Sequence, residues 1–383
     1  MNTLVFVKET SAHERRCALM PSNVKAYCRA GAKVLVESGI GESININDSQ
    51  YQEMGAEIVA DRSALISQAD FIFSVQALDK EALKPSKASV CCISFLDPFN
   101  NQEHIKWLKE SGRSSLSVEM IPRSSRCQKM DALSSQASLA GYVMVAKAMA
   151  ELPRVFPMMM TPAGTLKPAK VFVIGAGVAG LQAIATAKRL NASITAYDTR
   201  EVVAEQVRSL GAKFLKIDIG ETGQTEQGYA KALTSEQMLI QQQAQAQCIA
   251  ESDVVITTAQ LFGRKPPVLI KADTIAQMKP GSVIVDMAAE NGGNVEGSVA
   301  GETVKIHGVS IVGSGHWAGE VALDASQMYG NNLQALILEF WNVEKKEAEL
   351  DISDDILQSA LITHKGELIN STIKELLNGD SDR

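Results

Sequence analysis

Two stretches of this 383-residue chain carry residue types in an order that chemistry can use. The first is Gly175-Ala176-Gly177-Val178-Ala179-Gly180, which follows the apolar run Lys170–Ile174 and opens a helical pattern over Leu181–Leu190. In such a turn the first glycine permits the tight bend and the second lets the backbone approach a pyrophosphate. The third lets helix and strand pack closely. The helix start then offers unpaired N–H groups to phosphate oxygens. The next strand ends in Tyr197-Asp198-Thr199-Arg200, and Asp198 lies where an acid accepts hydrogen bonds from the adenosine ribose hydroxyls. An ionised carboxylate there repels a 2′-phosphate, which favours NAD over NADP; Arg200 nearby tempers that preference.

The second stretch is Arg123-Ser-Ser-Arg126-Cys-Gln128-Lys-Met-Asp131-Ala-Leu-Ser134-Ser135-Gln136. Its composition supports two readings. Asp131, Ser134 and Ser135 all suit a helix N-cap. Alternatively, the segment lines an interdomain cleft and faces the nicotinamide end of a bound cofactor.

The elements that must position these residues come in two series. Leu4–Val7, Lys33–Glu37, Glu57–Val59, Phe71–Val75, Ser89–Phe95 and Ser115–Val118 read as strands, with helical stretches at Ser22–Ala30, Tyr51–Met54, Asp61–Ser67 and Asn101–Glu110 between them. Lys170–Ile174, Ser193–Tyr197, Lys213–Lys216, Asp253–Thr257, Ser282–Asp286 and Val309–Gly313 form the second series. Strands alternating with helices predict a parallel sheet covered on both faces. The fold expected is therefore α/β, with two doubly wound Rossmann-like domains and a cleft between them. Two long helices, Ser138–Leu152 and Asp324–Trp341, are expected to join them. Residues 1–133 with 318–383 make one domain, completed by the C-terminal tail, and residues 134–317 make the other. Ile356–Ile369 alternates enough to pack back as a short hairpin.

Composition narrows the function classes. Hydrophobic residues are 45% and charged residues 21%, which excludes a largely disordered or fibrous chain. Lys and Arg total 37 against 44 Asp and Glu, and they are not clustered, so no nucleic-acid footprint is expected. The six cysteines show neither paired nor zinc spacing, which fits reduced thiols in the cytosol. No stretch resembles a spanning helix of about 20 apolar residues, so the chain reads as soluble. The histidines form no metal cluster with neighbouring acids; His13, His104, His307 and His364 read as surface residues, and His316 as a residue without a specific role.

Several segments together resemble the alanine dehydrogenase/transhydrogenase family. They are Met130-Asp-Ala-Leu-Ser-Ser-Gln-Ala-Ser-Leu-Ala-Gly-Tyr142, Glu14-Arg-Arg16-Cys-Ala-Leu-Met-Pro21, Val36-Glu-Ser-Gly-Ile-Gly41, Val173-Ile-Gly-Ala-Gly-Val-Ala-Gly-Leu181, and Gly281-Ser-Val-Ile-Val-Asp286 with Gly292-Gly293-Asn294. The resemblance runs from about Val7 to Trp341. Alanine dehydrogenases use a Lys to hold the substrate carboxylate and a His as acid/base, because oxidising an amine moves a proton as well as a hydride. Here the Lys position falls at Ser74, and Ser94-Phe-Leu-Asp-Pro-Phe-Asn-Asn101 contains no His. The family's Asp-Gln-Gly-Gly reads Glu290-Asn-Gly-Gly. This resembles the branch of the alpha subunit of proton-translocating NAD(P) transhydrogenase. Hydride transfer between two nicotinamides needs only positioned rings and excluded water.

The resemblance implies roles residue by residue. Arg123, Gln128, Asp131 and Ser134 would surround the nicotinamide and its ribose. Tyr229 would close over the nucleotide as part of a mobile loop, Gly220–Lys231. Gly175, Gly177, Val178, Gly180, Asp198, Thr199 and Arg200 would hold the pyrophosphate and adenosine, with Gly228, Gln241 and Gln260 also near the nucleotide. Where this chain has Gln260, the family commonly has Leu. The resemblance further implies NAD(H) on this chain, NADP(H) on a partner subunit, a membrane-spanning subunit, a homodimer, and a cytoplasmic position peripheral to the inner membrane. A stand-alone amino-acid dehydrogenase and a non-catalytic NAD-binding regulator are the alternatives.

Overall fold

The computed structural model describes residues 1–218, 233–260 and 263–379. It divides into two compact units, Met1–Gln136 with Val321–Arg383, and Ala137–Glu320. In the first, β1 (Thr3–Phe6), β2 (Lys33–Glu37), β3 (Glu57–Val59), β4 (Phe71–Gln76), β5 (Cys91–Phe95) and β6 (Ser114–Ser117) pair in parallel. Helices cover β1, β2, β4 and β5, whose residues are mostly buried and mostly apolar, whereas buried β6 is serine-rich and the edge strand β3 is partly exposed. Phe6 and Phe73 stack across β1 and β4 with ring centroids 4.6 Å apart. Gly31 and Gly55, at φ 87° and 107°, supply the left-handed residue that ends the preceding helix.

The second unit begins within the helix Ala132–Glu151, which an exposed hairpin follows, β7 (Met159–Thr161) and β8 (Gly164–Leu166). Its sheet contains β9 (Lys170–Ile174), β10 (Ser193–Tyr197), β11 (Lys213–Phe214), β12 (Val254–Thr257), β13 (Val283–Asp286), β14 (Thr303–Ile306) and β15 (Val309–Val312). The spatial order is β11-β10-β9-β12-β13-β15-β14, and only β14 runs antiparallel to its neighbour. The chain then returns to the first unit through the helix Ala322–Glu339 and the short ladder of β16 (Trp341–Asn342) and β17 (Glu347–Ala348). Finally β18 (Leu361–His364) and β19 (Glu367–Leu368) extend the first sheet antiparallel, giving β19-β18-β6-β5-β4-β1-β2-β3.

Two differences from the sequence reading have physical causes. The first long helix spans Ala132–Glu151 and not Ser138–Leu152, because Asp131 caps it well upstream of the expected start. Residues 355–360 are helical, so the C-terminal hairpin is confined to 361–368. Asp354 caps that helix by accepting from the Ile356 N–H, and its apolar residues are buried in the first core. Lys213–Lys216 shrinks to a two-residue edge strand. The antiparallel edge β14, the β7–β8 hairpin and the helix Ser235–Glu251 have no counterpart among the expected elements.

Each sheet has a point where the strand order reverses, between β1 and β4 in the first unit and between β9 and β12 in the second. Such points form crevices at the carboxyl ends of the strands. In the first unit the chain fills its own crevice. Glu9, just past β1, accepts from the N–H groups of Val75 (2.6 Å) and Gln76 (3.3 Å) at the end of β4. Beside it, buried Glu14 holds Arg16 through Nε (2.8 Å) and Nη2 (2.7 Å), and accepts from Gln76 Nε2 (2.9 Å). Arg16 Nη1 donates to Gln136 Oε1. Burial pushes Glu14 up, but the Arg16 bonds outweigh it and hold the carboxyl below its usual range. For Glu9, burial and then nearby Glu14 raise the carboxyl to about 7, against the two backbone bonds and the nearby Arg16.

Glu9's folded pKa lies above its usual 4.5, so between those values the folded protein holds a proton that the unfolded chain has released. This contribution to stability is complete below about pH 4.5 and is lost as pH rises through 7. Glu9→Gln should therefore match wild type near pH 4 and exceed it by on the order of 2–3 kcal/mol near pH 8. Urea unfolding at the two pH values measures this; parallel pH profiles for the two proteins would show that Glu9 titrates normally.

Candidate functional site

The three glycines of the β9 turn have three separate physical reasons. Gly175 sits at φ 98°, and a Cβ there would lie 2.4 Å from Thr258 Oγ1. Gly180, in the first turn of the helix Val178–Arg189, lies so close to the turn that a Cβ would come 1.9 Å from the Gly175 carbonyl oxygen. Gly177 is different. A Cβ on it would meet only Arg200 Nη2, at 4.0 Å, so the backbone here borders open space on the side where a ligand would come. Gly177 is also the helix N-cap and supplies no capping side chain, so the first N–H groups keep their hydrogen-bonding capacity. This cradle fits a dinucleotide pyrophosphate, which those N–H groups and the helix dipole would hold. Thr258, just past β12, donates to the carbonyl of Gly175 (3.1 Å) and fixes the crevice between β9 and β12.

Asp198 is buried just past the end of β10, and its oxygens are already engaged. Oδ2 accepts from the Ala176 N–H (2.7 Å) and Arg200 Nη2 (2.9 Å); Oδ1 accepts from the Arg200 N–H (2.8 Å) and Nε (2.9 Å). The acid thus braces the glycine turn from beneath and holds Arg200 bidentate. Those bonds raise the Arg200 pKa further. For Asp198 to accept from a ribose, Arg200 must surrender one or both side-chain bonds.

A second buried carboxylate organises the neighbouring strand ends. Asp286 closes β13 and accepts from the N–H groups of Ala288 (3.0 Å), Asn294 (3.0 Å) and Val295 (3.3 Å), and from Thr257 Oγ1 (3.3 Å). Asn294 in turn donates to the carbonyls of Ala259 (2.9 Å) and Pro267 (2.8 Å). In the sequence, Asp286 and Asn294 are only letters of a motif; their alternation with left-handed Gly292 and Gly293 is the available signal of a constrained loop. Glu290 pairs with His316, Oε1 to Nε2 at 3.1 Å, across two loops of this same unit.

Val178 is exposed at the helix start, Thr199 and Gln260 are half-buried, and Gln241 is buried on the helix Ser235–Glu251. Gly228 and Tyr229 lie outside the described residues, as does the loop expected to carry them.

The segment 123–134 belongs to the first unit. Asp131 Oδ1 accepts from the Ser134 N–H (2.8 Å) and Oδ2 from the Ser134 hydroxyl (2.6 Å), so this pair forms the helix cap. Ser135 donates instead to Asn332 Oδ1 (2.7 Å). Cys127 and Met130 are buried in the first core, and Asn332 Nδ2 holds the Lys129 carbonyl (2.8 Å). Arg126 clamps the segment from outside, with Glu339, Asp354 and Asp355. Between these anchors Arg123 and Gln128 are exposed. Arg126 and Asn332 position the segment, a role invisible in sequence because their partners lie far away along the chain.

His104 is buried rather than on the surface, packed on Trp107 in the helix Gln102–Glu110, and burial lowers its pKa. His364 is half-buried against Ser114 Oγ, 3.0 Å from its Nδ1. Among the described residues, no group of three His, Cys, Asp or Glu is arranged to hold a metal.

A doubly wound parallel sheet with a glycine turn at its reversal point and an acid following the next strand defines the Rossmann class of α/β dinucleotide folds. Residues 5–140 match the family described as Alanine dehydrogenase/PNT, N-terminal domain, and residues 144–371 match Alanine dehydrogenase/PNT, C-terminal domain. The chain belongs to this family. It is 37% identical to the first part of NAD(P) transhydrogenase subunit alpha from Rickettsia prowazekii, covering 99% of both chains. It is 39% identical to the protein of that name from Rhodospirillum rubrum, over 97% of this chain and 98% of the relative. A transhydrogenase crystal structure from Sinorhizobium meliloti superposes with a TM-score of 0.83 at 37% identity, covering 97% of this chain and 99% of that one.

The tight helix–turn contact is directly testable. Gly180→Ala forces a methyl group against the Gly175 carbonyl, and backbone cannot yield as a flexible side chain can. A loss of roughly 1–3 kcal/mol of stability is expected. An unaltered denaturation midpoint would show that the helix can slide away at little cost.

Proposed function

We propose that this chain is the NAD(H)-binding component of a proton-translocating NAD(P) transhydrogenase. It presents NADH for direct hydride transfer to NADP held by a partner subunit, and a membrane-spanning subunit couples the transfer to proton movement. The observation that carries this reading is the cradle at Gly175–Gly180 braced by Asp198, in a chain similar along nearly its whole length to transhydrogenase alpha subunits.

When bound, the nicotinamide supplies the hydride. The protein's own work is to bind, orient and exclude water. The N–H groups at the start of the helix Val178–Arg189 take the pyrophosphate. Asp198 takes the ribose as Arg200 releases it, while Thr199, Arg200, Gln241 and Gln260 serve the adenosine end, with Gly228 alongside. The Asp198 carboxylate just past the end of β10 would repel a 2′-phosphate, which supports NAD(H) over NADP(H) here. Arg123, Gln128, Asp131, Ser134 and Tyr229 serve the nicotinamide end. None of these need move a proton, since none is exchanged at the reacting carbons. The buried state of His104 and the hydrogen-bonded Ser74 hydroxyl, which donates to the Gln76 carbonyl at 2.6 Å, support this reading over an amino-acid dehydrogenase.

Among the described residues, no helix is long and apolar enough to cross a membrane. The chain would sit on the cytoplasmic face of the inner membrane through its partners. The exposed Met158, Met159, Met160 and Leu166 at the β7–β8 hairpin support a homodimer.

Mixing the chain with an NADP-binding transhydrogenase domain and following hydride exchange between nicotinamides tests the function; absence of exchange, or ammonia- and pyruvate-dependent NADH oxidation by the chain alone, would replace it. Asp198→Ala should weaken NADH binding by about 1–3 kcal/mol, since a buried acceptor is lost from both ribose and turn. An unchanged dissociation constant removes Asp198 from the site. Gln128→Asn keeps the amide but shortens its reach. Because about 1 Å of misplacement can cost on the order of a hundredfold in rate, exchange should fall steeply. NADH affinity should change by less than about tenfold. A wild-type exchange rate would leave residues 123–134 as a helix cap alone.

A further inference from the structure

The second unit contains a stripe of polar side chains buried where apolar ones would be expected. On the helix Ser235–Glu251, Gln241, Gln245 and Ile249 follow one another every fourth residue, and all three are buried. Gln245 is fully inaccessible, yet neither its Nε2 nor its Oε1 has a hydrogen-bond partner, and Gln241 Oε1 has none either. The Tyr197 hydroxyl, on a residue 2% exposed, is likewise without one.

The fold ties this stripe to Tyr197 through Ile249. Ile249 and Tyr197 belong to the same apolar cluster on one face of the second sheet, with Leu215 and Ile217 packed against it. The helix lies in the crossover between parallel strands β11 and β12, so it runs antiparallel to them. Its first turns therefore lie toward the carboxyl ends of the strands, where Tyr197 closes β10 and Asp198 follows. Gln241 and Gln245 extend the Ile249 stripe in that direction.

An unpaired buried amide destabilises a fold, and Leu at 245 would fill the same stripe without that cost. A position that retains the amide invites a use for it. We infer that Gln245 and the Tyr197 hydroxyl, beside Gln241, read the edge of the nucleotide's purine base. A Gln amide donates and accepts, and a phenol does either. Together they match an aminopurine edge, which presents an exocyclic amino donor next to a ring-nitrogen acceptor. Gln245 and Tyr197 are thus specificity-determining residues for the adenine end. This rests on the dinucleotide reading above and deepens it.

The test uses the full chain, calorimetric titration and three probes: NADH, ADP-ribose, and reduced nicotinamide mononucleotide, which lacks the base. In Gln245→Leu, the thermal midpoint without nucleotide should equal or exceed wild type, whereas NADH and ADP-ribose should bind about tenfold more weakly. The mononucleotide should bind as in wild type. Tyr197→Phe, which removes one oxygen atom from the core, should shift ADP-ribose in the same direction by a few-fold, and it carries the test alone if Gln245→Leu does not fold. Wild-type affinity for ADP-ribose in the folded variants overturns the base-reading assignment, and so does equal weakening of all three probes. A wild-type chain that binds no NADH overturns the dinucleotide reading itself.

Discussion

The helix Val178–Arg189 approaches β9 so closely that the Gly180 Cα and the Gly175 carbonyl leave no space for a methyl group between them. Much of the second unit's chemistry depends on that contact. It forces the left-handed turn at Gly175 and aims the helix N-terminus at the mouth of the crevice. It also leaves the Gly177 backbone bordering open space. A larger residue at 180 would tilt the helix away, and the N–H groups that suit a phosphate would no longer converge. Asp198 reinforces the same arrangement by accepting from the Ala176 N–H, so a group expected to meet only the ligand also shapes the turn.

The two units show what one topology does with and without that contact. Each sheet reverses its strand order next to its first strand, and each reversal creates a crevice at the carboxyl ends. In the second unit glycines keep the crevice lined by backbone. In the first, Glu9 occupies the strand ends and Glu14 holds Arg16 beside it. Such a cluster satisfies the backbone donors of Val75 and Gln76 from within the chain, and the burial that comes with it raises the proton affinity of Glu9.

Carboxylates at the ends of strands and helices serve here as organisers of loops as well as ion-pair partners. Asp286 gathers backbone N–H groups from three residues and through Asn294 fixes the carbonyls of Ala259 and Pro267. Asp131 plays a similar part at the start of the helix Ala132–Glu151. In each case the acceptor sits where a strand or helix ends and orphan donors accumulate, which is where an ionised acid has most to bond. Asp131 and Ser134 are engaged with each other in this way, so any service to a nicotinamide is shared with the cap.

What the sequence determined by itself were the features encoded within a few residues. Period and punctuation marked the parallel strands of both sheets to within two residues at either end. The glycine turn showed its strand–turn–helix context, and Asp198 its place after the next strand. What only tertiary structure decided depends on partners distant in the chain. Arg200 closing on Asp198 is local, but whether that salt bridge or a ligand holds the acid depends on how deeply both are buried. The helical start of residues 355–360 overrode their alternating pattern because their apolar side joins a core assembled from β1 to β6. Arg126 looked like one more cation in a polar stretch until Glu339, Asp354 and Asp355 were brought to it. The burial of Gln245 had no signal in the chain, since a glutamine's burial is set by the sheet its helix faces and not by its neighbours in sequence.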